Sequence, residues 1–456
     1  MTMKKDTEMQ SRLSNKTVYT YALGDFSFTF FIMFIGYYLM YYLTDVLLFP
    51  AAIAATIYTV VQTFETAGVL VGGVVIDRVK IKGGKFRPWL LVGGIWCGIM
   101  LVFLFTKYNI PQKVYLNLFP VLYLLAYWGY NFMWVAFRSL PGKICHDQKD
   151  VMRLAVGSQH GAVAASLIYS IIGVNLLYGF QNITTGYTVS SIVYGSIIIL
   201  CMIMVFRMAR PYDSITSSTT ERNADEKVLL RENLKCFTGP MLPYFTSSVL
   251  RSSVSVAIPA LMVYYFNYVL KNEGGMAIYL STTSVIQVIA ALVLKPLSVK
   301  FSKTFLFRAT AVMSCLSTLL AFVFGNSLYP FIFFMALNNF WTVVGGSTSY
   351  AFITDIADYN EYVRGLRTRG FTVSLSGTAN TLASLIGGGI ASFSLVFIGY
   401  DASIASESAA LAMGIRLIVT IGASVMTLVS LIPFLFYKLN DQKMKEVYLI
   451  KNQCQS

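Results

Sequence analysis

The sequence predicts an all-α membrane protein of twelve transmembrane helices, arranged as two pseudo-symmetric six-helix bundles. Three observations carry this expectation. Hydrophobic residues make up 56% of the 456 residues and charged residues only 12%, whereas a soluble domain carries about 25% charge. Apolar runs of about 20 residues, long enough to cross about 30 Å of hydrocarbon, recur along almost the whole chain. One long polar stretch, Arg207 to Cys236, separates the runs into two sets of six and reads as a linker.

Charges, Pro/Gly clusters and amide-rich loops set the helix limits. Helix I (18–46) follows a polar, basic N-terminus and stops before Pro50; its run is too long for a signal peptide, so it is expected to stay uncleaved. Helix II (52–76) ends at Asp77-Arg78, and helix III (88–106) opens at Pro88 and ends at Lys107. Helix IV (115–138) closes on Arg138 before Pro141-Gly142, helix V (154–179) ends at Gly179, and helix VI (187–207) ends at Arg207. Helix VII (242–270) opens after Gly239-Pro240, and helix VIII (276–295) ends at Lys295-Pro296. Helices IX (305–325), X (329–353), XI (371–399) and XII (410–437) complete the set. The organisation is thus an N-terminus 1–17, a bundle 18–207, a linker 208–241, a bundle 242–437 and a tail 438–456.

All but five of the 35 Lys and Arg fall on one side of these spans; Lys107, Lys113 and Lys271 face the other, and Arg251 and Arg416 lie within helices. The positive-inside rule then places both termini in the cytoplasm of a multi-pass plasma (inner) membrane protein. The net charge of +14 reports topology and calls for no nucleic acid. The bilayer and a small-molecule solute are the expected partners, and the chain is expected to act as a monomer. Six cysteines without CxxC spacing suggest neither a metal site nor a disulfide framework. His146 beside Cys145 has no further ligand nearby. No P-loop, zinc spacing or nucleophile elbow appears, so neither enzymatic catalysis nor a cofactor is expected.

The halves echo each other: DRVKIKGGKFRPW after helix II matches KPLSVKFSKTFLFR after helix VIII, and acid-rich then Arg-rich loops follow helices IV and X. Such duplication suits two bundles rocking around a central site.

A charge at mid-bilayer costs about 2.5–3.5 kcal/mol on insertion scales, so intramembrane charges are the main site candidates. Glu65, near the middle of helix II, reads as a carboxylate for a coupling proton or sodium ion, or for the solute; the competing reading is a packing residue, neutral or paired with arginine. Asp25 in helix I either anchors helix contacts or pairs with an arginine. Arg138 either snorkels to the interface or meets an anionic or hydroxyl-rich solute. Trp134, one turn earlier on the same face, offers a ring for stacking or for packing. Arg251 reads as functional or paired, Arg416 as snorkelling, and His160 beside Gln159 as a solute contact or a satisfied interior residue.

The loop DRVKIKGGKFRPW, the stretch YALGDF followed by YYLMYYLTDV, and DIADYNEY before helix XI resemble one family from about residue 20 to 440. It is the glycoside–pentoside–hexuronide:cation symporters of the major facilitator superfamily, typified by the melibiose permease. The resemblance implies the major facilitator fold, with a solute and a cation bound between the bundles. It places the first helix II acid of the family on Glu65 and the second on Val69. The family's helix I acid falls on Thr29, its helix IV acid and aromatic on Trp134 and Arg138, its helix V arginine on Gln159 and its helix XI lysine on Thr381. Asp25 matches the Gly-Asp of many relatives. With these ligands changed, the resemblance implies an anionic solute, such as a uronide or sulfonated sugar, with a proton favoured over sodium. A uniporter or exporter of a more hydrophobic solute, and a non-transporting receptor, are the alternatives.

Overall fold

A computed structural model describes residues 13–79, 81, 83–145, 148–213, 240–364, 369–402, 408–437 and 439. The expectations for His146, for most of the linker and for almost all of the tail lie outside them. The chain divides into two compact units, Met1–Ser218 and Thr219–Ser456.

In the first unit, α1 (Asn15–Tyr41) continues into a π-turn, Tyr42–Val46. There follow α2 (Ala51–Arg78), α3 (Arg87–Leu104), α4 (Gln112–Ser139), α5 (Gln148–Tyr178) and α6 (Ile183–Met208). The second unit holds α7 (Met241–Tyr264), again ending in a π-turn (Tyr265–Val269), then α8 (Gly275–Lys300) and α9 (Lys303–Phe324). It continues with α10, in two segments, Leu328–Ser347 and Ser349–Arg364, and α11 (Arg369–Phe397). Last comes α12, Ala409–Leu417 and Ala423–Leu435 around a π-turn at Ile418–Gly422. Among the described residues, eleven helices are long and apolar enough to cross a membrane.

The packing repeats with a shift of six. In the first unit α1 packs on α5 and α6, α3 on α4 and α6, and α2 on α4; in the second α7 packs on α11 and α12, α9 on α10 and α12, and α8 on α10. Small residues make the closest approaches possible. A Cβ on Gly161 of α5 would stand 2.1 Å from the Ala22 carbonyl of α1, and one on Gly387 of α11 would stand 2.2 Å from the Ser253 carbonyl of α7. The two π-turns repeat as well, in YYLTDVLL and YYFNYVLK: Leu47 N–H donates to Tyr42 O at 2.9 Å, and Leu270 N–H to Tyr265 O at 3.0 Å. Each is followed by a left-handed residue, Leu48 (φ 57°) and Lys271 (φ 49°).

Two segments read as loops are helical. QKDVMR begins α5, and TDIADYNEY extends α10 to Arg364. Hydropathy sees only the hydrocarbon-crossing part of a helix, whereas 31 residues of α5 rise about 46 Å. Polar residues hold the extensions. Arg153 donates to Leu13 O (3.0 Å) and Asn15 Oδ1 (2.8 Å), and Lys303 of α9 pairs with the buried Asp355 of α10.

The GGKFRPW loop is secured from within its own unit. Phe86 at the start of α3 has no capping side chain of its own. Asp213, 1% exposed and just past α6, accepts instead from the backbone N–H of Lys85 (3.1 Å), Phe86 (2.7 Å) and Arg87 (2.8 Å). Arg87 completes the clamp, donating from Nε to Phe206 O at 3.0 Å and lying 4.4 Å over the Phe206 ring. Replacing the carboxylate strands these donors, so Asp213→Ala is expected to lose about 2 kcal/mol of stability. Thermal unfolding of the purified protein, with hydrogen exchange at Lys85 to Arg87, checks this.

Candidate functional site

Several of the polar side chains that hydropathy would exclude from a bilayer gather in the first unit, on α1, α2, α4 and α5. Asp25 is at the centre of one group. Arg138 Nη2 of α4 donates to its Oδ1 at 2.7 Å, and the Ser158 hydroxyl of α5 donates to its Oδ2. One buried carboxylate thereby joins three helices. α1 and α4 approach closely beside it, since a Cβ on Gly24 would fall 2.0 Å from the Phe137 ring. That ring stacks on Tyr21 at 4.2 Å.

Arg138 is only partly consumed by the pair. Its side chain is 45% exposed, against 10% for Asp25. A guanidinium carries five N–H donors, and the ion pair uses one of them. Trp134 and Phe137 flank it with ring centroids 5.7 Å away. The predicted register of Trp134 and Arg138 therefore corresponds to a real contact, and the arginine keeps donors directed away from Asp25.

Glu65 forms a second group. It is 7% exposed on α2, and among the described residues it has no basic side chain within ion-pair distance. The buried Asn131 of α4 donates to the Glu65 backbone carbonyl at 3.5 Å. One turn before Glu65, Gln62 Nε2 donates to Tyr123 OH (2.9 Å) and Tyr127 OH (3.3 Å), also of α4. Tyr127, Asn131, Trp134 and Arg138 follow one another at helical spacing, so one face of α4 carries both groups. Asn131 and Arg138, two turns apart, are separated by about 10 Å along the axis. Tyr130 lies within electrostatic reach of Glu65, Asp25 and Arg138.

The other candidates are placed differently. Thr29, half-buried, returns its hydroxyl proton to the Asp25 backbone carbonyl at 2.8 Å. Gln159 and His160 are exposed next to the buried Ser158. Thr381 is half-buried in α11 of the second unit. Arg251, 8% exposed in α7, donates to Phe307 O (3.1 Å), Thr310 Oγ1 (3.0 Å) and Trp341 O (3.4 Å), which fastens α7 to α9 and α10. Among the described residues its partners are two backbone carbonyls and a hydroxyl, not an acid. Arg416, read as snorkelling, bonds Asn326 Oδ1 and Phe322 O.

Sequence reasoning missed Ser158, Asn131 and Gln62. The helical spacing of Asn131 to Trp134 and Arg138 was the available signal; a lone serine beside Gln159 gave none.

Residues 20–441 match the family described as MFS/sugar transport protein. The chain is 27% identical to the glucuronide carrier protein homolog of Escherichia coli, over 96% of both chains. It is 23% identical to the putative sulfoquinovose importer of Salmonella typhimurium, over 97% of this chain and 93% of that one. Among solved structures, the nucleoside transporter NupG superposes with a TM-score of 0.60 at 12% identity, covering 92% of this chain and 99% of that one, a likeness of fold. A duplicated bundle of membrane-spanning helices with charges at its interior, matched along nearly its whole length, belongs to the MFS/sugar transport family: the chain is a multi-pass membrane transporter and not an enzyme.

Proposed function

We propose that this transporter carries an anionic sugar-type solute together with a proton, by alternating access, with both termini cytoplasmic. One observation supports the reading above the others. A half-exposed guanidinium, Arg138 of α4, and a buried carboxylate, Glu65 of α2, that has no basic partner among the described residues both lie along one face of α4. Two relatives named for a glucuronide and for sulfoquinovose, both acidic sugars, point to the same solute class.

In this reading Arg138, held at its Nη2 by Asp25, turns its remaining donors to the carboxylate or sulfonate of the solute, and Trp134 stacks on the sugar ring. Gln159, His160, Thr29 and Thr381 are further solute contacts. Arg251 acts on the solute only through the packing of its own unit. Because Asp25 already balances one positive charge, an arriving anion competes with it; the solute loosens the α1–α4–α5 junction as it binds. Glu65 supplies the coupling. Ionised, it is an unpaired charge in hydrocarbon; a proton neutralises it and allows the loaded form to change conformation.

Uptake into proteoliposomes under an imposed pH gradient tests both roles. Glu65→Gln, a fixed neutral mimic, is expected to abolish pH-driven accumulation while leaving solute exchange at equilibrium intact; accumulation like wild type refutes the coupling role. Arg138→Gln is expected to weaken uptake of glucuronate or sulfoquinovose at least about tenfold, the loss of one charge-assisted hydrogen bond. A neutral glycoside distinguishes recognition from misfolding, since its transport is not expected to fall in parallel.

A further inference from the structure

The seam between α7 and α12, at the end of the second unit remote from Met241 and Leu435, opens into a cavity of 320 Å³. Tyr268, Lys271, Ser408, Ala412 and Arg416 line it, and no acidic side chain does among the described residues. The cations are unexpected there. Only five of the 35 Lys and Arg stand away from the basic face, and two of the five converge on this one cavity. Neither forms an ion pair among the described residues. Arg416 spends two nitrogens on Asn326 and Phe322, while its buried Nε has no acceptor among the described residues.

The fold does not require a lysine at 271. The same π-turn and left-handed residue occur at the end of α1, where Leu48 fills the position. A cation here is therefore available for a ligand, and an oxyanion is the chemistry accepted by two cations that have no ion-pair partner among the described residues.

The same seam also holds an apolar cavity of 180 Å³ nearer the middle of α7 and α12, with Val254, Leu261, Val419 and Met426 in its wall. Its two serines are apolar in effect: Ser253 donates to Val249 O (2.8 Å) and Ser394 to Ala391 O (2.7 Å) within their own helices. A cationic basin at the helix ends, with an apolar recess deeper along the same two helices, matches an amphiphile with an anionic head.

We infer that the α7–α12 seam is a binding site for an anionic phospholipid, its phosphate between Lys271 and Arg416 and an acyl chain along the apolar recess. This site is independent of the solute reading above, which concerns the first unit.

The test uses the full-length protein in phosphatidylcholine nanodiscs carrying a minor fraction of phosphatidylglycerol, with retained lipid counted by native mass spectrometry. The wild type is expected to retain phosphatidylglycerol in preference to phosphatidylcholine. Lys271→Gln is expected to lower that preference about fivefold, the worth of one basic residue near a charged lipid surface. Lys271→Glu is expected to remove it, and Lys271→Arg to keep it. Because Lys271 is exposed, these variants should melt like wild type in phosphatidylcholine alone, which separates lipid loss from unfolding. Equal retention of both lipids by the wild type, or an unchanged preference in Lys271→Glu, overturns the site. So does protection of the wild type by inorganic phosphate without any lipid preference, since the ligand is then a soluble anion.

Discussion

The Asp25 carboxylate, shared between Arg138 and Ser158, is the interaction on which the first unit turns. In hydrocarbon an unpartnered carboxylate and an unpartnered guanidinium are each costly, and neither is relieved by water. Sharing the carboxylate between α4 and α5 gives each oxygen of the acid a donor while leaving the base with open donors. The consequence is directional: Asp25 is closed off, while Arg138 retains polar capacity toward open space. A pair that satisfied both members would be a purely structural bolt.

Arg251 shows what that alternative looks like. Its donors go to the carbonyls of Phe307 and Trp341 and the hydroxyl of Thr310, and it is 8% exposed. Carbonyl partners disperse the charge without neutralising it, so the guanidinium holds three helices by geometry. The contrast with Arg138 is one of exposure and partner type. Both are arginines within apolar helices, yet only Arg138 combines a countercharge with open donors, the combination that allows an anion to enter and leave.

Much of this was legible in the residues. Composition and apolar runs of about 20 residues are enough for twelve helices, because the bilayer imposes length and polarity together. The helical extensions at Gln148 and Arg364 were not, because beyond the hydrocarbon a helix carries no hydropathy signal. Asp25, Glu65 and Arg138 were visible as misplaced charges. Which of them pair was not, because pairing depends on the angular register of three helices and on a glycine, Gly24, that lets Phe137 close in. Arg251 was readable as functional or paired, but nothing in its neighbours announced backbone carbonyls as its partners.

The π-turns at the ends of α1 and α7 repeat in sequence as well as in backbone. YYLTDVLL and YYFNYVLK share their first two tyrosines, the valine and the leucine, and both fold into the same turn with the same left-handed exit. A π-turn inserts one residue and wastes helical hydrogen bonding, so its presence at the same place in both halves means that it is built into the repeat and is not an accident of either sequence. It releases each helix end from its α-helical register where α1 and α7 leave the apolar region. Within a fixed turn the two halves have diverged only in side chains: Asp45 stands where the second half has Tyr268, and Leu48 where it has Lys271. The backbone is therefore the shared scaffold of the duplication, and charge at these ends is the variable on which different ligands can act.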